Sequence, residues 1–294
     1  MSIDKTIAAG VQQSVLSGLF SMRTCLALCS SLLGCLGGEE HMQKEPFDAE
    51  LGAQLAGLSN AAYQMKSRGD RWSGPKGYEL IARYSVTESA SIGTVPMAFL
   101  AIRDGQAYVA FRGTSTDYEW MRNIEFTFSD FPGIGGDGVK THSGFSRLFE
   151  EMRSSLLADL GRELTARSIT QVNVTGHSLG AALATLAAPT IASAYAAVSV
   201  RLYTFASPRV GDGDFVERFA ELVPTSWRVA NPADLVTQLP IEIMYQHVDS
   251  QQKVEFEGAS GIEENHDRCR YLSQMCKQVK DPAACKKWSR SVGC

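Results

Sequence analysis

The strongest constraint on the fold is a strand-like run that passes through a glycine-flanked serine into a run of small, helix-forming residues. Val172–Thr175 is mostly β-branched, Gly176-His-Ser-Leu-Gly180 follows it, and Ala181–Ala188 continues the chain. A turn this tight crowds the positions two before and two after Ser178, and glycine relieves the crowding because it has no Cβ. The five-residue pattern alone is also compatible with a plain βα turn. Its context favours a nucleophilic serine at a helix N-terminus.

The composition is that of a globular protein with enough chain for a sizeable core. Of the 294 residues, 44% are apolar and 20% are charged, which argues against disorder. The net charge is −4, and the sequence has no Lys/Arg cluster that would indicate nucleic-acid binding. We expect no nucleic-acid partner, and we expect a monomer.

The cysteines lie at the two ends of the chain. Cys25, Cys29 and Cys35 are in the N-terminal segment, and Cys269, Cys276, Cys285 and Cys294 are in the last 26 residues. An even set in a short tail favours disulfides formed in an oxidising compartment. Zinc is the competing interpretation, but the tail has no close C-x-x-C pair, so we expect no metal.

The spacing of the tail cysteines indicates how they pair. Ile262–Val279 has a helical pattern and Asp281-Pro282 would begin a second short helix, so the two would form an antiparallel hairpin. Residues that face each other across such a hairpin have nearly constant index sums, which favours the nested pairs Cys276–Cys285 and Cys269–Cys294. Four cysteines allow three connectivities, and sequence alone leaves them open.

Residues 1–38 resemble an export leader. From Thr6 to Gly38 the only charged residue is Arg23, and the segment that ends at Cys35 resembles a bacterial lipoprotein signal, in which a cysteine after a Leu-x-Gly triplet is lipidated. A plain secretory signal, a membrane-anchoring helix and an N-terminal helix packed on the body are the alternatives. The leader and the tail cysteines together predict a secreted, extracellular or periplasmic protein. The protein would be associated with a membrane if its N-terminus is lipidated or retained. Gly37–Phe47 would then be a linker.

Helix-like and strand-like patterns alternate along the body of the chain. Helical periodicity covers Phe47–Met65 and residues 145–164, and strands are predicted at Tyr78–Val86, Val95–Arg103 and Gln106–Phe111, with a hairpin turn at 104–105. Strand 170–175, the helix after Ser178, strand 199–205, helix 215–222 and strand 226–230 give a βαβαβ order. This alternation predicts the α/β-hydrolase fold: a mostly parallel central sheet with helices on both faces.

The serine needs a general base, and the base needs an orienting carboxylate. In this fold the chain order is Ser, Asp or Glu, then His, so both partners follow Ser178. Asp234 comes soon after a predicted strand and is the preferred acid. Asp212 and Asp214 also follow a strand, but their glycine-rich turn is more typical of solvated loop or helix-cap residues.

Two histidines lie downstream, and each is a candidate base. His247 is in the strand-like stretch Ile243–Val248, where structural histidines are common, whereas His266 begins a helix from a loop. Position favours His266 without excluding His247. For the tetrahedral intermediate, the backbone N–H of Leu179 and the backbone and hydroxyl of Thr114 are the candidate oxyanion donors.

Five motifs follow one another in the body of the chain. They are Phe111-Arg-Gly-Thr114, His142-Ser-Gly-Phe145, Val174-Thr-Gly-His-Ser-Leu-Gly180, Thr204-Phe-Ala-Ser-Pro-Arg-Val-Gly211 and Asn231-Pro-Ala-Asp-Leu-Val-Thr-Gln-Leu-Pro240. In this order they resemble the class 3 lipase family, which contains the filamentous-fungal lipases and related feruloyl esterases. The resemblance covers roughly Leu51–Leu272. The family's second glycine after the elbow is Ala181 here, and its Val-Pro after the acid is Val236-Thr237.

The resemblance implies roles for the candidate residues. Ser178 would be the nucleophile, Asp234 the acid, and Thr114 with Leu179 the oxyanion hole, with no cofactor. The Tyr-Gln-His-Val stretch around His247 resembles a family element that is not catalytic. His266, followed by Tyr271-Leu272, resembles the family's catalytic His-x-x-x-x-Tyr-Leu element.

In the resembled lipases, the segment that corresponds to Ser115–Asp130 is an amphipathic lid that opens at an oil–water surface. Its apolar members here include Tyr118, Trp120, Met121 and Ile124. A fixed surface helix is the alternative. An aromatic-rich lid favours long-chain glycerides over the feruloyl esters, whose enzymes carry a more polar lid.

These features predict a serine carboxylic-ester hydrolase, a triacylglycerol lipase that acts through an acyl-enzyme on lipid esters at an oil–water interface. A phospholipase A or a feruloyl-type esterase of the same family is the alternative. A catalytically silent interaction lipoprotein is the alternative of a different class. We expect a leader at residues 1–38, a catalytic domain at 39–272, and a cysteine-bearing helical tail at 273–294 packed on that domain.

Overall fold

The computed structural model describes residues 44–89, 93–114, 127–136, 138–248 and 250–294. These residues belong to one unit of the chain, Met42–Cys294. The predicted leader with Cys35, and the predicted lid residues Tyr118, Trp120, Met121 and Ile124, lie outside the described residues. What the sequence indicates for them stays a prediction.

A sheet of seven strands runs through the described part of the chain. Its order is β1 (Glu79–Ser89), β2 (Gly93–Arg103), β3 (Gln106–Phe111), β6 (Gln171–His177), β7 (Ser199–Phe205), β8 (Thr225–Ala230) and β9 (Gln251–Lys253). β1, β2 and β3 are antiparallel, and every pairing from β3 to β9 is parallel. A separate antiparallel pair joins β4 (Phe128–Asp130) and β5 (Lys140–His142). The predicted sheet is confirmed, although the sequence did not indicate β9.

Most of the helices in the described residues begin after a side chain that caps their N-terminus. They are α1 (Ala49–Arg68), α2 (Ser143–Arg167), α3 (Leu179–Ala194), α4 (Gly213–Leu222), α5 (Gly261–Asn265), α6 (Arg268–Cys276) and α7 (Pro282–Ser291). The carboxylates of Asp48, Asp212, Asp267 and Asp281 accept backbone N–H groups in the first turns of α1, α4, α6 and α7. Such bonds satisfy donors that a helix N-terminus leaves without partners.

The sheet separates two hydrophobic cores. Along β2, the side chains of Leu100 and Ile102 belong to one core and those of Phe99 and Ala101 to the other, as the two-residue period of a strand requires. Helices α2, α3 and α4 pack into the first core, and α1 and α6 pack into the second. Helices therefore cover both faces of the sheet, as predicted for the α/β-hydrolase fold.

The C-terminal region departs from its predicted shape at one place. The single helix expected over Ile262–Val279 is wrong, because α5 ends at Asn265 and α6 begins at Arg268. Asp267 has an extended backbone and its carboxylate accepts the N–H of Arg270 at 2.8 Å, so it starts a new helix. The break leaves His266 at the C-terminal end of α5 rather than inside a helix.

The C-terminal cysteines form two nested disulfides, one from α6 to Cys294 and one from α6 to α7. The pairs are Cys269–Cys294 and Cys276–Cys285, the connectivity expected from an antiparallel hairpin. The indole of Trp288 in α7 lies directly over Gly57 of α1, where an added Cβ would overlap the ring. Since α6 itself runs across residues 272 and 273, the tail and the catalytic domain share a helix.

The described end of the expected linker also packs on the body. Phe47 contacts the rings of Tyr203 and Trp227 at centroid distances of 5.6 and 5.5 Å, and Glu45 pairs with Arg201 at 2.8 Å. Residues 45–47 are therefore not a free linker. In the described part of the chain, no helix is both long and apolar enough to cross a membrane.

Candidate active site

Ser178 lies at the sharp turn between β6 and α3. Its backbone has φ 60° and ψ −127°, a conformation that residues other than glycine rarely adopt. The turn is held by the backbone N–H of Ser178, which donates to the carbonyl of Phe205 at 3.0 Å. A Cβ on Gly176 would overlap the carbonyl of Gly180, and a Cβ on Gly180 would overlap the carbonyl of Phe111. Both glycines are needed for the close approaches that the sequence predicted.

The structure brings the three predicted catalytic side chains together. Ser178 Oγ lies 2.8 Å from His266 Nε2, and His266 Nδ1 lies 2.9 Å from Asp234 Oδ2 and 3.0 Å from Asp234 Oδ1. All three residues are buried. With Nδ1–H donating to the carboxylate, Nε2 is the nitrogen that can accept the serine proton. The arrangement can therefore move a proton from the hydroxyl to the imidazole.

Asp234 is buried but well supplied with hydrogen-bond donors. It caps the short turn Leu235–Gln238, and its Oδ1 accepts the N–H of Val236 at 3.0 Å. Its Oδ2 accepts the hydroxyl of Tyr271 at 2.8 Å, and that hydroxyl in turn accepts the N–H of Asn231 at 3.0 Å. Burial, followed by the charge of Asp234, raises the pKa of Tyr271 well above its usual value, so the phenol keeps its proton. These donors offset the cost of burying the carboxylate.

His177 is a second buried histidine beside the site. Its Nε2 lies 2.9 Å from the backbone carbonyl of His266, and its Nδ1 lies 2.9 Å from the hydroxyl of Tyr63. Because a carbonyl can only accept, Nε2 carries the proton and Nδ1 accepts from the tyrosine. Burial lowers the pKa of His177 well below its usual value, and the charges of His266 and Arg268 lower it further. A neutral His177 thus supports the loop that carries His266.

The candidate oxyanion donors border the same turn. Leu179 is the first residue of α3, where backbone N–H groups have no partner within the helix. A Cβ on Gly180 would overlap the backbone of Phe111 and Arg112, so the loop after β3 lies against the serine turn. Thr114 is half-buried in that loop, three residues past the end of β3.

His247 lies outside this group of residues. Its Nε2–H donates to the backbone carbonyl of Thr237 at 2.7 Å, and burial, followed by the charge of Arg228, lowers its pKa to about 3. The strand expected over Ile243–Val248 is wrong: residues 242–244 form a turn and Gln246 makes a single bridge to Gly211. His247 therefore holds the loop that follows Asp234.

One further sequence feature has a structural explanation. Asp212 caps α4 by accepting the N–H of Phe215 at 2.9 Å, the cap role that the sequence favoured. Within the described ranges, no group of three or more His, Cys, Asp or Glu side chains is arranged to hold a metal ion. No sequence motif pointed to a role for Tyr63. The only signal for His177 was its position directly before the serine.

Comparisons with known proteins agree with this geometry. Residues 108–244, which contain Thr114, Ser178 and Asp234, match the family model described as Lipase (class 3). Lipase ZK262.3 of Caenorhabditis elegans is 31% identical over 232 residues, which cover 75% of this chain and 63% of the relative. Phospholipase A(1) DAD1, chloroplastic, of Arabidopsis thaliana is 32% identical over 213 residues, which cover 64% of this chain and 47% of the relative.

Solved structures share the fold. The crystal structure of a lipase from Rhizopus microsporus var. chinensis superposes with a TM-score of 0.63 at 20% identity, covering 84% of this chain and 96% of that one. The chain spans 47% and 63% of the lengths of the two curated relatives. The matched segment, the motifs around Ser178 and Asp234, and the 31% identical relative together show that the chain belongs to the class 3 lipase family.

Proposed function

We propose that the protein is a serine carboxylic-ester hydrolase that acts on lipid esters. The observation that carries the proposal is the unbroken series of short hydrogen bonds from Ser178 Oγ through His266 to Asp234. A catalytically silent interaction protein would have no need to keep this series inside a buried site. The strained backbone of Ser178 supports the same conclusion, because such strain is commonly retained where it positions a reacting group.

The proposed reaction has two steps. As Ser178 Oγ attacks the ester carbonyl carbon, its proton passes to His266 Nε2, and Asp234 orients and stabilises the resulting imidazolium. The oxyanion receives the N–H of Leu179 and the donors of Thr114. His266 then gives the proton to the departing alcohol. The acyl group stays on Ser178 Oγ, and this species is the acyl-enzyme. A water molecule, deprotonated by His266, then attacks the acyl carbon, and His266 returns that proton to Ser178 Oγ as the bond to the carboxylic acid breaks.

The proposed substrate is a triacylglycerol, with a phospholipid as the second candidate. The aromatic-rich segment with Tyr118, Trp120, Met121 and Ile124 favours a long acyl chain, and we propose that it acts as a lid. One curated relative is named a lipase and another a phospholipase A(1), so relatives support both candidates. A feruloyl-type ester is the third candidate substrate.

We also propose that the protein is exported. Two disulfides support an oxidising compartment, because such bonds are rare in reducing ones. The residues around Cys35 support a lipidated N-terminus, which mass spectrometry of the protein from its native membranes would detect. We propose a monomer in solution.

The experiment that tests the function is an acyl-length series. p-Nitrophenyl esters from acetate to palmitate, a triacylglycerol emulsion and phosphatidylcholine vesicles are offered to the wild type and to Ser178→Ala. We expect hydrolysis by the wild type that rises towards longer chains, and a loss of about 10⁴-fold or more in the variant. Equal rates in the two proteins would contradict the proposal.

A further inference from the structure

Arg268 places a positive charge beside the proposed catalytic residues. It is the first residue of α6, it follows His266 after a single intervening residue, and it is partly exposed. Its Cζ lies 4.7 Å from the centre of the Tyr63 ring, so the guanidinium stacks on the tyrosine. After burial and the charge of His266, the charge of Arg268 also lowers the pKa of His177, the residue before Ser178. The guanidinium is therefore close to the site without belonging to its series of hydrogen bonds.

Tyr63 connects Arg268 to the loop that is proposed to hold the oxyanion. The Tyr63 hydroxyl lies 2.9 Å from Nδ1 of His177, and a Cβ on Gly113 would overlap that hydroxyl. Thr114, a proposed oxyanion donor, directly follows Gly113. Tyr63 therefore contacts the oxyanion loop through its hydroxyl and Arg268 through its ring.

The exposure of these side chains shows which of them a substrate can meet outside the buried centre. Ser178 and His266 are buried, whereas Tyr63, Thr114 and Arg268 are partly exposed. Arg268 is thus accessible to a part of the substrate that stays outside the catalytic centre while the ester carbonyl lies at Ser178.

The guanidinium of Arg268 has no anionic partner in the described residues. None of their oxygens accepts a hydrogen bond from it, and its Nε is buried without a hydrogen-bond partner there. Arg270, in the same turn of α6, differs, because it lies 3.5 Å from Glu264 and donates to the carbonyl of Glu257. Helix stability does not account for Arg268 either, because the N-terminus of a helix disfavours a positive charge. Such an arginine is suited to bind an anionic group of the substrate.

The proposed mechanism indicates which part of the substrate lies near Arg268. His266 Nε2 gives its proton to the departing alcohol, so the alcohol oxygen must lie within hydrogen-bond distance of that nitrogen. The alcohol part of the ester is then beside the junction of α5 and α6, the junction that carries both His266 and Arg268. In a glycerophospholipid this alcohol is a glycerol whose phosphate is only a few bonds from the ester.

A phosphodiester is the anion that suits the guanidinium best. The planar guanidinium offers parallel N–H groups that match the spacing of phosphate oxygens. A triacylglycerol has no charged group in its alcohol part and would leave Arg268 without a partner. The charge therefore distinguishes two lipid esters that the catalytic residues alone would treat alike.

We propose that Arg268 binds the phosphate of a glycerophospholipid whose acyl ester lies at Ser178, so that phospholipids are substrates as well as neutral glycerides. The proposal rests on the proposed function, because it needs an ester at Ser178. Arg268 determines specificity through binding, and the proton transfer stays with His266. Hydrolysis of a neutral ester should therefore not depend on Arg268.

Two dissolved esters of equal acyl length test this proposal. Dihexanoylphosphatidylcholine carries the phosphate and dihexanoylglycerol lacks it, and both are used below the concentrations at which they aggregate, so that no lipid surface takes part. Arg268→Met removes the charge and keeps an apolar contact with Tyr63. Arg270→Met removes a charge from the same helical turn and is the matched control.

We expect Arg268→Met to lower kcat/KM for the phospholipid by about tenfold through a higher KM, and to leave dihexanoylglycerol within about twofold. Arg268→Lys should keep part of the phospholipid activity, because lysine binds phosphate as a point charge. Equal losses on the two esters would overturn the proposal and show that Arg268 only supports Tyr63. An equal loss of phospholipid activity in Arg270→Met would overturn it as well.

Binding by the Ser178→Ala protein separates this proposal from the proposed function. Isothermal titration calorimetry with dissolved dihexanoylphosphatidylcholine should give a Kd about tenfold higher when Arg268→Met is added. Inorganic phosphate alone is the second ligand, and binding as tight as that of the phospholipid would mean a site for free phosphate instead. A wild type that hydrolyses neither ester, with Arg268-dependent binding of the phospholipid, would reject the catalytic function alone. Hydrolysis of both esters in a ratio that Arg268→Met leaves unchanged would reject the role of Arg268 alone.

Discussion

His177, the residue directly before the proposed nucleophile, donates its Nε2–H to the backbone carbonyl of His266 at 2.9 Å. His266 in turn lies 2.8 Å from Ser178 Oγ through its own Nε2. The nucleophile and its base are therefore joined twice, once between their side chains and once through the neighbouring imidazole. Because His177 is fixed by the serine turn, that turn also fixes the loop that presents His266.

His177→Leu should lower activity without weakening substrate binding. The change removes the donor to the His266 carbonyl, and a displacement of about 1 Å in a catalytic group costs up to about 10²-fold in rate. We expect kcat to fall by about 10- to 100-fold with KM within about twofold, measured on a dissolved short-chain ester. His177→Gln keeps an N–H donor and should recover part of kcat. Equal losses in the two variants would show that the hydrogen bond is not what matters.

Tyr271→Phe should slow the reaction by weakening the support of Asp234. The variant loses the hydrogen bond to Asp234 Oδ2 and leaves the N–H of Asn231 without its acceptor, at a cost of about 1–3 kcal/mol in stability. We expect kcat to fall by about tenfold. Tyr203→Phe is the matched control, because it removes the hydroxyl of another buried tyrosine, one that accepts the N–H of Asp48. An equal fall in kcat in the Tyr203→Phe variant would mean that the effect of Tyr271→Phe comes from general destabilisation of the fold.

The two disulfides should stabilise the fold to different extents. Cys269–Cys294 closes a separation of 25 residues and Cys276–Cys285 one of 9. On the chain-entropy model, the longer loop contributes about 3–4 kcal/mol and the shorter about 2–3 kcal/mol. Urea unfolding of the two Cys→Ser double variants measures the difference. A larger loss from the Cys276/Cys285 pair would contradict this ranking.

The stability of the fold should decrease as the pH falls below about 6.5. Burial lowers the pKa of His247 to about 3, whereas the unfolded chain has the ordinary histidine value of about 6.5. Between these values the unfolded chain binds a proton that the folded protein does not, so acid favours unfolding. One such histidine costs about 2 kcal/mol between pH 7 and pH 5.

Urea unfolding at pH 7 and pH 5 checks this prediction, with His247→Gln as the comparison. The variant should lose about 2 kcal/mol less than the wild type over this interval. His177, whose pKa burial also lowers, contributes in the same direction in both proteins. The same pH dependence in wild type and variant would show that His247 does not titrate as described.

Much of the fold could be predicted because strands and helices have different periods. β3 and β7 have their predicted bounds, and α2 extends its predicted range by two or three residues at each end. The strand-like stretch Ile243–Val248 indicated a strand that does not form. Arg209, from a distant loop, donates to the carbonyls of Gln238 and Pro240, and the chain then makes a turn at residues 242–244 instead of a strand.

The catalytic residues could be predicted because this fold fixes the order in which they occur along the chain. The order of serine, acid and histidine pointed to Ser178, Asp234 and His266, although choosing between the histidines needed the family resemblance. The roles of His177 and Tyr63 could not be predicted. Their contacts join residues 89 and 114 positions apart and depend on how α1 and the α5–α6 junction meet at the sheet.

In the proposed mechanism His266 activates Ser178, and covalent labelling of the serine tests this role. A p-nitrophenyl phosphonate ester reacts with an activated serine by forming an Oγ–P bond and releasing p-nitrophenolate. Peptide mass spectrometry then locates the phosphonyl group. We expect it on Ser178 in the wild type and in His247→Ala, and no label above background in His266→Ala. A label on another residue, or a labelled His266→Ala beside an unlabelled His247→Ala, would contradict the account.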